Sequence, residues 1–334
     1  MQKHHQHILI VSLIVSALII IISKYISSSK YDPIQSTVPQ PLQQPPLQQP
    51  PSQQPPSQQP RIFEIKTSLF YKDDEYMVTI SIGGRTIDCV VDTGSISLMV
   101  ANTLCTTCNQ YYGSYEELEA TPINIIQKYV SQNVTFSWVV DAMKISDQIY
   151  PKFIFGSIDD IKINKAQYKS YNVLGLAPIS NSNSTDWRVK TFWEQTKISK
   201  FSFNFNQENP YLKFNSLENN VLTNIPYTTS STKPYFMITW KLNGFSLLCM
   251  IDTGFSKTLI PDMYYNQLKS NQKSNESSLV TIEFPNNFTY TIELSESTSE
   301  ATSDFSFCIF GNMWMKNLRM NFDLTNKLYG VGSV

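Results

Sequence analysis

The sequence predicts an all-β fold of two similar lobes, from its composition and from an internal repeat. Aromatic and β-branched residues are plentiful and stretches with a helical period are few, which favours strands. Residues 77–94 align without a gap with residues 237–254, and each segment reads as strand, tight turn and strand. Each copy ends in Asp-Thr-Gly. At 334 residues the chain can hold two lobes and a sizeable core.

The first sixty residues predict an anchor and a linker. Residues 8–22 form an apolar run whose only polar side chains are serines, and residues 23–26 could extend it. A full membrane span needs about 17–25 residues. We therefore expect a signal anchor within residues 1–30, with a cleaved signal peptide as the alternative. Residues 31–60 are dominated by Pro and Gln, which predicts a disordered, extended linker.

From residue 61 the pattern changes to short strands and turns. We assign residues 61–205 to an N-terminal lobe and residues 206–334 to a C-terminal lobe. Apolar spacing predicts one helix over residues 186–197. Further strands are expected at residues 201–205, 211–214, 279–284 and 288–294.

The histidines exclude several kinds of catalytic site. His4, His5 and His7 all precede the first apolar run, so the predicted lobes contain none. Ser-His-Asp and Cys-His catalysis therefore lack their base, and His-containing zinc sites lack their ligand. We expect no metal and no cofactor, and in a hydrolase carboxylates would do the acid and base work. The net charge of -1 gives no reason to expect nucleic acid as a partner.

The five cysteines include one close pair, Cys105 and Cys108. This pair could close a small disulfide loop in an oxidising compartment, or form a CxxC redox motif, although no βαβ pattern surrounds it. Cys89 and Cys249 lie on the apolar strands before the two Asp-Thr-Gly motifs, and we expect them to be buried in the core. An odd number leaves at least one thiol free unless a second chain is bridged.

Four N-x-S/T sequons are candidate glycosylation sites: Asn133, Asn183, Asn275 and Asn287. In an Asn-rich chain several sequons arise by chance. They are consistent with an N-terminal secretory signal and do not establish glycosylation.

The paired motifs place Asp92 and Asp252 at equivalent positions. An apolar strand carries each Asp towards the interior, where an unpaired charge is costly. Two carboxyl groups brought face to face cannot both ionise, so they share one proton and titrate as a unit. The ionised member can accept a proton from water, and the protonated member can polarise a carbonyl. One motif alone is weak evidence, whereas two within a matched repeat predict a paired-carboxylate site.

These motifs resemble those of pepsin-like aspartic proteases, and the resemblance covers about residues 76–332. Val173-Leu174-Gly175 and Ile309-Phe310-Gly311 are similar to the strands that brace each Asp loop in that family. The segments IFGS, FWEQ and FDLTNKLYGVG also resemble family segments. The family fold has two β lobes related by a pseudo-twofold axis, with the active-site cleft between them.

The resemblance implies roles for individual residues. Asp92 and Asp252 would be the catalytic pair, and Tyr129 and Ser131 would belong to a substrate-binding flap. Thr93 and Thr253 would cross-brace the two lobes, and Ser95 would donate a hydrogen bond to Asp92. The residues implied to support the catalytic pair are Thr93, Gly94, Ser95, Thr253 and Gly254.

The chain also departs from the family pattern. Phe255 replaces the usual Ser or Thr beside the second Asp, and Met99 replaces a Trp that partners the flap tyrosine. The predicted flap lacks the usual glycines. The stretch from Asp252 to Gly311 is shorter than that from Asp92 to Gly175, which implies a trimmed second lobe.

The resemblance therefore implies a monomeric, membrane-anchored aspartic endopeptidase that acts on peptides or proteins. Its catalytic region would be lumenal or extracellular, or the protein would be secreted or lysosomal after signal cleavage. The alternative is a pepsin-like protein that binds peptides or proteins without cleaving them. A retroviral-type protease carries one motif per chain and dimerises, which the two motifs here make unnecessary.

Overall fold

The computed structural model describes residues 63–116, 125–128, 132–163, 172–178, 189–230, 233–275, 278–295, 297–302 and 306–334. They are mainly β strands, which confirms the predicted all-β class. The described residues belong to one compact unit. The predicted anchor, residues 1–30, and the linker, residues 31–60, lie outside them. Within these ranges, no helix has both the length and the hydropathy needed to cross a membrane.

The elements follow one another in two runs separated near residue 215. The first run contains β1 (Ile65–Ser68), β2 (Phe70–Lys72), β3 (Glu75–Ile82), β4 (Arg85–Asp92), β5 (Met99–Ala101), β6 (Ile125–Lys128), β7 (Gln132–Ile145), β8 (Gln148–Ile163), β9 (Asn172–Gly175), α1 (Phe192–Thr196), β10 (Lys200–Asn204) and β11 (Tyr211–Phe214). The second contains β12 (Thr223–Pro226), β13 (Thr228–Ser230), β14 (Lys233–Leu242), β15 (Phe245–Ile251), β16 (Thr258–Pro261), α2 (Asp262–Asn275), β17 (Leu279–Glu283), β18 (Thr289–Glu293), β19 (Ser299–Thr302), β20 (Cys308–Phe310), β21 (Leu318–Asp323) and β22 (Leu328–Ser333). Short 3₁₀ helices cover Gln110–Tyr112 and Asn312–Trp314.

The described strands form three sheets. The N-terminal sheet has the order β2-β3-β4-β9-β5-β8-β7-β6. The C-terminal sheet has the order β18-β17-β14-β15-β20-β16-β19, with β13 paired to β14. The third sheet, β1-β11-β10-β21-β22-β12, combines strands from both ends of the described chain. The predicted lobe boundary between residues 205 and 206 falls between β10 and β11 of this third sheet.

The N-terminal and C-terminal sheets repeat one pairing pattern. In the N-terminal sheet β4 runs parallel to β9, and β5 runs antiparallel to β9 and parallel to β8. In the C-terminal sheet β15 runs parallel to β20, and β16 runs antiparallel to β20 and parallel to β19. Met99 pairs with Val173, and Leu259 pairs with Ile309. Met99 follows Asp92 at the same distance along the chain as Leu259 follows Asp252. The sequence repeat is therefore a repeat of topology.

The repeated hairpins turn where the sequence predicts. β3 and β4 are joined by Gly83 and Gly84, with φ of 55° and 80°. β14 and β15 are joined by Asn243 and Gly244, with φ of 46° and 85°. Two consecutive positive φ values match the right-handed twist of flanking strands and favour Asn and Gly. The predicted tight turns are confirmed.

Aromatic side chains fill the core beside the third sheet. Trp193 stacks on Phe201, and Phe201 stacks on Phe322, with 4.4 Å between ring centroids in each pair. Cys89 and Cys249 are fully buried free thiols, which confirms their predicted place in the core. The contacts join apolar residues of both repeats into one core.

The helix predicted over residues 186–197 is shorter in the structure. α1 begins at Phe192, because Thr191 caps it: the Thr191 hydroxyl accepts the Glu194 amide at 3.1 Å, and Glu194 accepts the Thr191 amide at 2.6 Å. Residues 189–191 are not helical, and residues 186–188 lie outside the described ranges. The strands predicted at residues 201–205, 211–214, 279–284 and 288–294 are confirmed to within one residue at each end.

The helix α2 was not predicted from the sequence. It places Tyr265 and Leu268 in the core. Its sequence, DMYYNQLKSNQKSN, is polar and lacks a clear apolar stripe, so the periodicity used to recognise helices is weak here.

Candidate active site

The two Asp-Thr-Gly loops meet, and Asp92 and Asp252 hydrogen-bond to each other through their carboxyl groups. Asp92 is the last residue of β4 and Asp252 directly follows β15. A Cβ at Gly94 would lie 2.6 Å from Asp252 Cγ, and a Cβ at Gly254 would lie 2.6 Å from Asp92 Oδ1. Each glycine therefore leaves room for the carboxyl group of the other repeat.

The two threonines bind the loops to each other reciprocally. Thr93 Oγ1 donates to the Ile251 carbonyl at 2.8 Å and accepts the Thr253 amide at 3.1 Å. Thr253 Oγ1 donates to the Val91 carbonyl at 2.6 Å and accepts the Thr93 amide at 3.1 Å. Both threonines are fully buried. These four bonds fix the loops against each other.

A neighbouring strand supports each Asp loop. Asp92 pairs with Gly175 across β4 and β9, and the Asp252 amide donates to the Phe310 carbonyl at 3.1 Å. A Cβ at Gly175 would lie 2.6 Å from the Ser97 amide nitrogen, and a Cβ at Gly311 would lie 2.7 Å from the Phe255 carbonyl oxygen. Glycine is needed at both places because the loop after each Asp crosses directly over it.

The two carboxyl groups differ in their hydrogen-bond donors. Asp92 accepts the Ser95 hydroxyl at 2.5 Å and the Gly94 amide at 2.7 Å. Asp252 accepts the Gly254 amide at 3.1 Å. Phe255 holds the place that corresponds to Ser95, and its side chain has no hydroxyl to donate.

This difference separates the proton affinities of the two acids. Burial raises the pKa of Asp92, and the hydrogen bonds from Ser95, Asp252 and Gly94 oppose that rise. Burial raises the pKa of Asp252 well above its usual range, and the neighbouring charge of Asp92 adds to the rise. Asp92 is therefore the member that ionises first, and Asp252 is the member that keeps the shared proton.

Two further side chains near the pair escaped the sequence prediction. Glu75 is buried, and Asn312 Nδ2 donates to its Oε2 at 2.5 Å. Burial raises the pKa of Tyr235, and the charges of Asp252 and Asp92 add to it. Extending the repeat alignment two residues upstream would have paired Glu75 with Tyr235 and drawn attention to both.

The predicted flap residues Tyr129 and Ser131 lie outside the described residues. The flanking strands are described: β6 ends at Lys128, which pairs with Asn133 of β7. Met99, at the position where the family has Trp, is 1% exposed and packs with Val134 and other apolar side chains of the N-terminal sheet.

The structure contains the disulfide between Cys105 and Cys108.

Of the sequons, Asn287 is exposed at the tip of the β17–β18 hairpin, with φ of 65°. Asn133 is half-buried on β7, Asn275 is the last residue of α2, and Asn183 lies outside the described residues. In the part of the chain that is described, no group of three or more His, Cys, Asp or Glu side chains is placed to hold a metal ion.

No family model matches this chain, and no curated protein matches it.

Proposed function

We propose that the chain is an aspartic endopeptidase, with Asp92 and Asp252 as its catalytic residues. The observation that carries the proposal is the contact between the half-buried carboxyl group of Asp92 and the buried one of Asp252, each delivered by one copy of a repeated hairpin. Two acids held together with little access to solvent are costly for stability, which favours a chemical role over a structural one. The repeated strand pairing supports a pepsin-like arrangement of two lobes with the pair in the cleft.

The unequal hydrogen bonding assigns a role to each acid. Ionised Asp92, held by Ser95 and Gly94, would take a proton from a water molecule. Protonated Asp252 would donate to the carbonyl oxygen of the peptide bond as water adds to its carbon. The resulting tetrahedral intermediate would collapse when Asp92 passes its proton to the leaving amine and Asp252 takes back a proton from a hydroxyl of the intermediate, which releases a carboxylic acid and an amine and restores both catalytic groups. Water attacks directly, so no covalent enzyme intermediate forms.

The substrate would be an extended peptide or protein segment, bound by one protein chain. Both carboxyl groups come from the same chain, so a second copy is not required to complete the pair. We further propose that the protein is anchored in the membrane with its catalytic region lumenal or extracellular. The Cys105–Cys108 disulfide supports an oxidising compartment.

Digestion of a peptide library tests this function. Purified wild type should cleave peptides in the acidic range, about pH 3–6, because one carboxyl of the pair must keep its proton. Asp92→Asn removes one titrating acid with little change of shape and should abolish cleavage. Pepstatin, which resembles the transition state of this reaction class, should block the wild type. Cleavage by the wild type no faster than by Asp92→Asn would refute the proposal.

A second candidate function follows from Phe255. Without a hydroxyl at this position, Asp252 lacks the donor that Ser95 gives Asp92. The two acids therefore receive unequal hydrogen bonding. A protein of this kind could bind peptides between its lobes without cleaving them. Tight pepstatin binding by the wild type, with no cleavage at any pH, would favour this second function.

A further inference from the structure

Glu75 is a buried carboxyl group near the aspartate pair that the reaction proposed above does not use. It is the first residue of β3 and is 7% exposed. Asn312 is fully buried and contacts both Glu75 and the Asp252 loop: its Nδ2 lies 2.5 Å from Glu75 Oε2 and 3.5 Å from the Thr253 carbonyl. Its backbone amide donates to the Phe255 carbonyl at 2.8 Å. Asn312 thus connects Glu75 to the loop that carries Asp252.

The surroundings of Glu75 oppose its ionisation. Burial raises the pKa of Glu75 well above its usual range, and the charges of Asp92, Asp252 and Asp74 raise it further. The hydrogen bond from Asn312 acts in the opposite direction. The Tyr71 hydroxyl is a further titrating group that interacts with Glu75.

The oxygen of the Asn312 side-chain amide points to the same protonation state. Asn312 Oδ1 is buried and accepts no hydrogen bond within the described ranges. Ionised Glu75 can only accept hydrogen bonds, whereas protonated Glu75 carries an O–H donor. A neutral Glu75 therefore suits both the neighbouring negative charges and the local need for a donor.

The equivalent position in the second repeat carries a neutral group. Tyr235 lies where the repeat alignment places Glu75, and its phenol also interacts with Asp252 and Asp92. Within the described part of the chain, the site thus contains three carboxyl groups: the pair related by the repeat, and Glu75, which has no acidic counterpart in the second repeat.

We propose that Glu75 is a third acid of this site, a positioning residue held by Asn312 that takes part in the protonation equilibrium of Asp92 and Asp252. Three neighbouring acids with little access to solvent cannot readily all ionise together, and the ionisation of any one strengthens proton binding by the others. With Glu75 present, the pair should keep its working proton to a higher pH than a pair alone. The activity readout of this proposal rests on the endopeptidase function proposed above.

The pH profile of Glu75→Gln tests the proposal on the full chain. Glutamine keeps the shape of the side chain and cannot ionise. We expect the alkaline limb of kcat/KM to move to lower pH by about half a unit or more, because glutamine cannot ionise beside the pair as pH rises and so cannot strengthen the pair's hold on its proton. Glu208→Gln makes the same chemical change at an exposed position and should leave the profile unchanged.

A stability measurement provides a readout that does not depend on cleavage. The folded-state pKa of Glu75 lies above the unfolded value of about 4.3. Its contribution to stability is therefore complete below that pH and is lost as pH rises through the folded pKa. Between about pH 5 and pH 7, the urea midpoint of Glu75→Gln should fall less than that of the wild type.

The outcomes separate the two proposals. If the wild type cleaves nothing, the endopeptidase fails and the unfolding comparison still decides the role of Glu75. If Glu75→Gln matches the wild type in both measurements, the third acid is refuted. If Glu75→Gln does not fold, the ¹³C carboxyl signal of Glu75 should titrate at lower pH in Asp92→Asn than in the wild type. An unchanged titration would refute the proposal.

Discussion

Asp92 and Asp252 end equivalent strands, and in both loops the next glycine donates its amide to the carboxylate, at 2.7 Å and 3.1 Å. Reciprocal threonine bonds join the loops symmetrically. The side chains three residues after each Asp break this symmetry, because Ser95 donates a hydroxyl to Asp92 and Phe255 cannot donate one to Asp252. The duplicated backbone thus brings the two acids together, while one side chain in each copy decides which acid keeps the proton.

Alanine at Gly94 or Gly254 should have the largest effect. In either loop the new Cβ would lie less than 3 Å from the opposite carboxyl group and push the acids apart. A displacement of this kind can cost about 100-fold in rate, so we expect kcat/KM to fall by at least that factor in both variants.

Gly84→Ala is the control, because a Cβ there has no atom within 4 Å. It should cost some stability through its φ of 80° and leave kcat/KM intact. Wild-type kcat/KM in Gly94→Ala and Gly254→Ala would contradict the close approach of the acids.

Valine at Thr93 or Thr253 tests the symmetric part of the comparison. Each substitution leaves a buried amide and a buried carbonyl without a partner. Because each such group costs about 1–3 kcal/mol, we expect each variant to lose about 2–5 kcal/mol of unfolding free energy in urea. Thr79→Val removes an exposed hydroxyl that bonds Asp88 and should cost much less. Unequal losses at Thr93 and Thr253 would show that the loops are not equivalent.

Asparagine at either Asp tests the asymmetric part. The pKa of each acid is raised in the folded state, and that of Asp252 is raised further. Their contribution to stability is therefore complete below the unfolded value of about 3.9 and is lost as pH rises through the folded pKa. At about pH 7, Asp252→Asn should raise the unfolding free energy by about 1 kcal/mol or more, and by more than Asp92→Asn does. A larger gain from Asp92→Asn would reverse the assignment of the proton.

Exchanging the side chains after the motifs should have the smallest effect. Phe255→Ser would supply a hydroxyl to Asp252, lower its pKa and move the alkaline limb of activity to lower pH, by up to about one unit. Ser95→Ala would remove the donor from Asp92, raise its pKa and move the acidic limb to higher pH. The pH profile of kcat/KM measures both shifts. Movement of the same limb in both variants would contradict the separate roles.

The sequence alone predicted the parts of this fold that local pattern determines. Gly83-Gly84 and Asn243-Gly244 determine tight turns, and alternating apolar residues determine the strands beside them. The Thr191–Glu194 capping box was also visible in the sequence, although apolar spacing alone placed the start of α1 too early.

Long-range contacts account for what was missed. A glutamate at the start of a strand reads as a solvent-exposed residue, and only the fold brings Asn312, 237 positions away, to Glu75. Helix α2 has little intrinsic apolar pattern, and its packing through Tyr265 and Leu268 stabilises it. In both cases tertiary contacts outweighed the local signal.

The most direct test of the paired acids is a titration of their ¹³C carboxyl signals by NMR, in the wild type and in Asp92→Asn. We predict two well-separated steps in the wild type, with Asp252 losing its proton in the later one. In Asp92→Asn, Asp252 should titrate at a lower pH, because the neighbouring negative charge is gone. A single step near the usual carboxyl pKa for both aspartates, unchanged by Asp92→Asn, would contradict a shared proton and with it the proposed catalytic pair.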